Sequence, residues 1–209
     1  MSWKKPTAGV ILAAGESSRF GQPKQLLKLN NKYLLEWVLD ASLNSSLKEV
    51  VLVLGHEHRK ILKALEQKTR HPNLRVIVNP KYSEGQGRSL KLGFLKIKNA
   101  YPSVMFLLGD QPLLDSEMID YMLEAFWHSE KDICVPVNRG QRGNPTIFSR
   151  KFYKHFLKIT GDMGARQLIE THPDNILEVE VTNPLCLLDI DTKKDFTNLQ
   201  SLLKKTNPL

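Results

Sequence analysis

The chain has 209 residues, 41% hydrophobic and 25% charged, a single-domain length with ordinary globular composition, which excludes a disordered or low-complexity protein. Its net charge of +8 comes from scattered cations such as Arg59-Lys60 and Lys193-Lys194, with no long basic block and no interleaved aromatics. Such charge reads either as a merely solvated basic surface or as a field that gathers polyanionic small substrates, and nucleic acid is not expected. No apolar run reaches the roughly 18 residues of a membrane span, and no secretory pattern is visible; Cys134 and Cys186 each sit in an apolar run. A cytoplasmic protein with buried, inert thiols and no membrane partner follows as the expectation.

In chain order, the β-branched run at 9–14 predicts a first strand, and Leu34, Leu35, Val38, Leu39 and Leu43 recur at helical spacing behind it. A strand over 49–55, a helix through Ile61, Leu62 and Leu65, and a strand over 75–79 follow. Leu90, Phe94 and Ile97 then share one helical face, 104–109 reads as the fourth strand, and Ile119, Met122, Leu123 and Phe126 form another stripe. Strand 132–137 closes this regular rhythm. The first four strands are almost continuously apolar, as parallel strands covered on both faces should be. Beyond residue 138 short strands at 146–148, 178–181 and 185–190 mix with helices near 150–158, 164–171 and 192–204. The pattern predicts one α/β domain: three layers, doubly wound, with a mostly parallel, Rossmann-like sheet and a partly antiparallel C-terminal extension. The halves meet near residue 112, and the active crevice of such a sheet lies beyond the carboxyl ends of its strands.

The first strand runs into Leu12-Ala13-Ala14-Gly15-Glu16-Ser17-Ser18-Arg19-Phe20-Gly21-Gln22-Pro23-Lys24. A glycine-containing loop there can aim backbone N–H groups at an anion, and Arg19 and Lys24 add cations within reach of a triphosphate. The spacing is neither a Walker A loop nor GxGxxG. The fourth strand ends in Gly109-Asp110-Gln111-Pro112, and Asp110 supplies a hard oxygen ligand suited to Mg²⁺ at the crevice. Asp189 and Asp191 point the same way along the last expected strand, and Asp191 could equally cap the final helix, with Asp195 near its first turn. The six histidines show no metal-binding pairing, and no nucleophile elbow is present, so covalent catalysis is not expected.

The pattern G-x-x-x-R-x-G-x-x-K after an apolar strand resembles the signature loop of MobA-like nucleotidyltransferases, and Leu12-Ala13-Ala14-Gly15 resembles the cytidylyltransferase branch rather than the Leu-Ala-Gly-Gly of the guanylyl branch. Phe20 stands where methionine is commonest. Gly109-Asp110-Gln111-Pro112 is similar to that family's metal motif, and Asp189-Ile190-Asp191-Thr192 matches part of its D-x-D-T-P-x-D pattern, with Lys193 in place of proline. The resemblance implies that Lys24, Arg19 and Asp110 carry catalysis and that Asp110 and Asp191 hold Mg²⁺. It places Leu12, Ala13, Ala14, Gly15, Arg19, Lys24, Asn79, Gly85, Ser89 and Gly109 around the nucleotide; Ser89 either reads the base or merely starts a helix. Arg139 to Pro145 resembles the R-G-H-P segment with Asn144 replacing histidine, and 161–166 resembles G-D-x-G-A-R. These imply an acceptor side made by Arg142, Asn144, Asp162 and Arg166.

The implied reaction couples CTP to Mo-molybdopterin, a phosphorylated pterin, and releases pyrophosphate, with a molybdoenzyme as client. Three other readings stay open at this point. One is a nucleotidyltransferase that uses GTP or a sugar or alcohol phosphate. Another is a non-catalytic accessory protein that carries molybdopterin to a dehydrogenase. The third is a nucleic-acid binder.

Overall fold

The computed structural model describes residues 5–159, 161 and 164–206. β1 (Thr7–Ala13) leads through the glycine-containing loop to a tiny hairpin, β2 (Lys28–Leu29) and β3 (Lys32–Tyr33). Asn30 and Asn31 both adopt positive φ at its tip, the backbone a two-residue hairpin turn demands. There follow α1 (Leu34–Leu43), β4 (Val50–Leu54), α2 (His58–Ala64), α3 (Glu66–Thr69), β5 (Leu74–Val78), α4 (Gln86–Ile97), β6 (Ser103–Leu108) and α5 (Ser116–His128). The remainder comprises β7 (Ile133–Asn138), β8 (Gln141–Arg142), β9 (Thr146–Ser149), α6 (Tyr153–Phe156), α7 (Ala165–Thr171), β10 (Ile176–Glu180) and α8 (Lys193–Thr206). No helix among the described residues is long and apolar enough to cross a membrane.

The main sheet has the strand order β10-β7-β9-β6-β1-β4-β5, with β8 paired to β7. β1 lies at its centre, parallel to β4 and β6, and its residues alternate between two cores. Ile11 and Ala13 face one side, with Leu52, Leu54, Met105 and Leu107 and the helices α1 and α5. Ala8 and Val10 face the other, with Val51, Val53, Phe106 and α4 and α6. Burial on both faces is why these strands carry no polar alternation. Gly93 lets α4 settle onto β1: a Cβ there would lie 2.4 Å from Cγ1 of Val10. The predicted three-layer, mostly parallel fold is the one observed.

The antiparallel element does not extend the sheet beyond its edge. β9 is inserted in the middle, antiparallel to both β6 and β7, so that β7 and β10 run in the same direction as β6. The loops after β1, β6 and β7 therefore open at one end of the sheet.

Two expected elements are corrected. Residues 185–190 do not form a strand: Pro184–Leu187 is a 3-10 turn whose first N–H groups are met by the Asn183 side chain, which accepts from Leu185 N at 3.1 Å. Proline at the turn's start has no N–H to give a ladder, and the apolar content is spent on burying Cys186 and Ile190 instead. The helix expected over 150–158 is a 3-10 turn at Arg150–Phe152 followed by the single turn of α6.

Candidate active site

Beyond the carboxyl ends of β1 and β6 lies a crevice of about 350 Å³, lined by both charged and neutral groups. Lys24, Asp110, Asp189 and Asp191 are the charged ones. Leu12, Ala14, Tyr82, Gln86 and Ser89 are among the neutral ones, Gln86 and Ser89 coming from the first turn of α4.

The charged groups are organised around the Lys24 ammonium. Nζ donates to Oδ2 of Asp110 at 2.5 Å, to Oδ1 of Asp191 at 3.0 Å and to the Ile190 carbonyl at 3.1 Å. Burial works against the charge on Lys24, but Asp110 and then Asp191 outweigh it and hold its pKa above the ordinary lysine value. Three structural devices bring these groups together. Gln25, 3% exposed, ties the loop to β1 by donating to the Ala13 carbonyl at 3.0 Å. Phe20 is buried with Leu27, Leu29, Leu34, Ile190 and Leu199, anchoring the same loop to the chain beside Asp191. Ile190 N donates to the Asp110 carbonyl at 3.0 Å, which fixes the segment carrying Asp189 and Asp191 against the end of β6.

The alternative role of Asp191 as a helix cap is resolved by geometry. Thr192 caps α8: Asp195 N donates to Thr192 Oγ1 at 3.2 Å and Thr192 N to Asp195 Oδ2 at 2.7 Å, a reciprocal box that leaves Asp191 facing Lys24. Ser89 does not start a helix either. It lies within α4, after Gln86, and is buried at the crevice wall.

Two carboxylate oxygens here, Oδ1 of Asp110 and Oδ1 of Asp189, are buried without a partner. Such atoms are costly to desolvate unless something completes them. Hard carboxylate oxygens of this kind fit a divalent cation such as Mg²⁺. Lys24 occupies the space between Asp110 and Asp191, so no ready cluster of three ligand side chains forms among the described residues.

Asp189 has its pKa pushed up to about 6, first by burial and then by the neighbouring charges of Asp110 and Asp191, with the Gln111 amide and Lys24 pulling the other way. The folded state thus holds this proton more tightly than the unfolded chain. The stability it contributes is present in acid and lost as pH rises through the folded value. Asp189→Asn should therefore raise the melting temperature in metal-free buffer at about pH 8, with an advantage that shrinks below about pH 6. A difference from wild type that stays constant across this range would count against the reading.

Of the residues expected around a nucleotide, Leu12, Ala13, Ala14, Gly15, Lys24, Ser89 and Gly109 line the crevice. Arg19 is exposed and outside the wall, and Asn79 is wholly buried behind it. Gly85 precedes α4 at φ 106°, a backbone conformation open to glycine, so its contribution is the turn that aims the helix. On the expected acceptor side, Arg142 pairs with Glu178 at 2.7 Å and Arg166 with Glu170 at 3.0 Å; both are exposed and neither lines the crevice. Asn144 lies just before Thr146, which pairs with Phe106, and so sits at the crevice end of the sheet. Asp162 lies outside the described residues. Tyr82 and Gln25 escaped the sequence reading as site residues. A Gln next to the loop lysine and a Tyr ahead of the Gly85 turn are the only signals that could have found them.

Comparison with known proteins gives the same direction. The model of the MobA-like NTP transferase domain matches residues 9–176. The molybdenum cofactor cytidylyltransferase of Escherichia coli K12 is 28% identical over 194 residues, covering 90% of this chain and 92% of that protein. A probable molybdenum cofactor guanylyltransferase of Thermococcus sibiricus is 31% identical over 134 residues; the match takes in 61% of this chain and spans 60% of the relative's length. Among solved structures, Rv0371c of Mycobacterium tuberculosis H37Rv superposes with a TM-score of 0.79 at 26% identity, over 95% of this chain and 99% of that one.

Proposed function

The chain belongs to the MobA-like NTP transferase family, and from that premise we propose that it transfers CMP from CTP to Mo-molybdopterin, releasing pyrophosphate. The observation that carries this reading is the Lys24 ammonium held by Asp110 and Asp191 in a crevice that neutral side chains also line. A triphosphate suits the charged groups and a heterocycle the neutral ones. Ala14, 7% exposed, places a methyl where the guanylyl branch has glycine, which favours the smaller pyrimidine. The near full-length similarity to a cytidylyltransferase supports the same choice.

In this reading Lys24 exchanges its carboxylate partners for phosphate oxygens, neutralising charge as pyrophosphate leaves. The first turn of α4 turns its positive end toward the crevice, which further favours an anion there. Asp110 and Asp191 would hold Mg²⁺, with Asp189 beside them. When bound, that cation would offset the mutual repulsion of the phosphates. The acceptor phosphate is already ionised at neutral pH, so the protein needs no general base and its task is positioning. Arg142 and Arg166 would have to release Glu178 and Glu170 before either could take the acceptor's phosphate.

The test is pyrophosphate release with each of the four ribonucleoside triphosphates, with Mg²⁺, and with or without Mo-molybdopterin. Release confined to CTP plus the pterin is expected. Turnover of sugar 1-phosphates instead would replace the acceptor, and pterin binding without pyrophosphate would remove the enzymatic reading.

A further inference from the structure

Asn79 is fully buried, 0% exposed, yet every polar atom of its side chain is used. Its Oδ1 accepts from the Lys81 backbone N–H at 3.0 Å, and its Nδ2 donates to Ser89 Oγ at 2.9 Å. Its backbone N donates to the Leu54 carbonyl at 2.7 Å, so the residue is pinned to the end of β4. The amide orientation is unambiguous: a backbone N–H can only donate, so it must meet the carbonyl oxygen, and the NH₂ must meet Ser89.

This arrangement has a consequence for Ser89. A helical serine ordinarily turns its hydroxyl proton back to the carbonyl four residues earlier, here Gly85, and no such bond is present among the described residues. Ser89 Oγ accepts a hydrogen bond from Asn79 Nδ2, so its own O–H is left to donate, and the crevice it lines is where that O–H can point. We propose that Asn79 is a positioning residue that locks Ser89 as a hydrogen-bond donor and thereby sets the preference for a base presenting acceptors at that point. Cytosine offers an unprotonated ring nitrogen and an adjacent carbonyl on one edge, whereas guanine presents ring and exocyclic N–H donors beside its carbonyl. The proposal rests on the nucleotide assignment made above and deepens it: specificity is set one residue behind the wall that touches the ligand.

Asn79→Asp keeps the shape and reverses the polarity. In its ionised form the second oxygen can only accept, so at a pH where the carboxylate is ionised Ser89 would donate inward and offer the crevice a lone pair. The dissociation constant for CTP, measured by calorimetry without acceptor, should rise roughly tenfold or more, the scale of one lost specific hydrogen bond. The KM for CTP should rise with it while kcat changes little. Ser89→Ala should show a comparable loss, and Asn79→Asp combined with Ser89→Ala should lose no more than Ser89→Ala alone, because Asn79 acts only through that hydroxyl. Should the aspartate variant fail to fold, Asn79→Ala enters the same cycle, since without the amide nothing holds the Ser89 hydroxyl away from the Gly85 carbonyl. Losses that add in the double variant, or folded Asn79 variants that bind CTP within twofold of wild type, would overturn the proposal. A wild-type protein that binds no nucleoside triphosphate would instead sink the functional reading itself, so the two failures are told apart.

Discussion

Lys24→Ala should leave the protein folded and lower kcat by roughly 10²–10³, the loss of one preorganised charge stabiliser in a transition state. The size of the effect follows from where the ammonium sits. It is the cation that touches both Asp110 and Asp191, and its side chain is only 17% exposed, so water cannot substitute for it cheaply. Lys24→Arg should recover little, because a planar fork cannot reproduce a point charge that bonds two carboxylates and the Ile190 carbonyl at once. Removing the cation also leaves three neighbouring carboxylates uncompensated. The alanine variant should therefore melt earlier than wild type at neutral pH, and divalent cations should restore part of the difference. Steady-state pyrophosphate release separates the outcomes. If only the KM for CTP rises and kcat is untouched, Lys24 is a ground-state contact and the mechanism above loses its central group.

Asp110→Asn should cost turnover at least as much, by a factor of roughly 10³ or more, because it removes the charge that would hold a cation worth several kcal/mol of phosphate stabilisation. The fold should survive, since the part of Asp110 that holds the Asp191 segment is its backbone carbonyl, which the substitution keeps. Asp191→Asn should be milder: its side chain is 57% exposed against 18% for Asp110, so solvent can stand in for more of what it supplies. Raising Mg²⁺ should not rescue Asp110→Asn at any concentration that saturates wild type. Rescue by added cation would mean the residue tunes affinity only, and wild-type activity in the variant would take Asp110 out of the mechanism altogether.

Much of the fold was written locally. Val10 to Ala13, Val50 to Leu54 and Val104 to Leu107 are runs whose residues alternate between two cores, as a strand with helices on both sides requires. The loop from Gly15 to Lys24 and the Gly109-Asp110 turn announced themselves through position, directly after such strands. Less local features were illegible. The run Leu185 to Ile190 has a strand's composition but is a 3-10 turn and an irregular tail, because Asn183 and Pro184 start a turn and apolar burial does not require a ladder. The insertion of β9 between β6 and β7 is likewise a matter of pairing at a distance.

By itself, then, the order of residues determined the alternation of strands and helices, the glycine-containing loop after β1 and the acidic groups that end β6 and precede α8. Tertiary structure alone decided which of those groups meet. Lys24 lies 86 residues from Asp110 and 167 from Asp191, and only the packed sheet brings one nitrogen to both. It also decided that Thr192 rather than Asp191 caps α8, and that Arg142 and Arg166 are engaged by glutamates. The physical reason is one of range. Backbone propensity and hydrophobic period act between near neighbours in the chain, whereas the partner of a charge is chosen by desolvation and proximity, which exist only once the chain has folded.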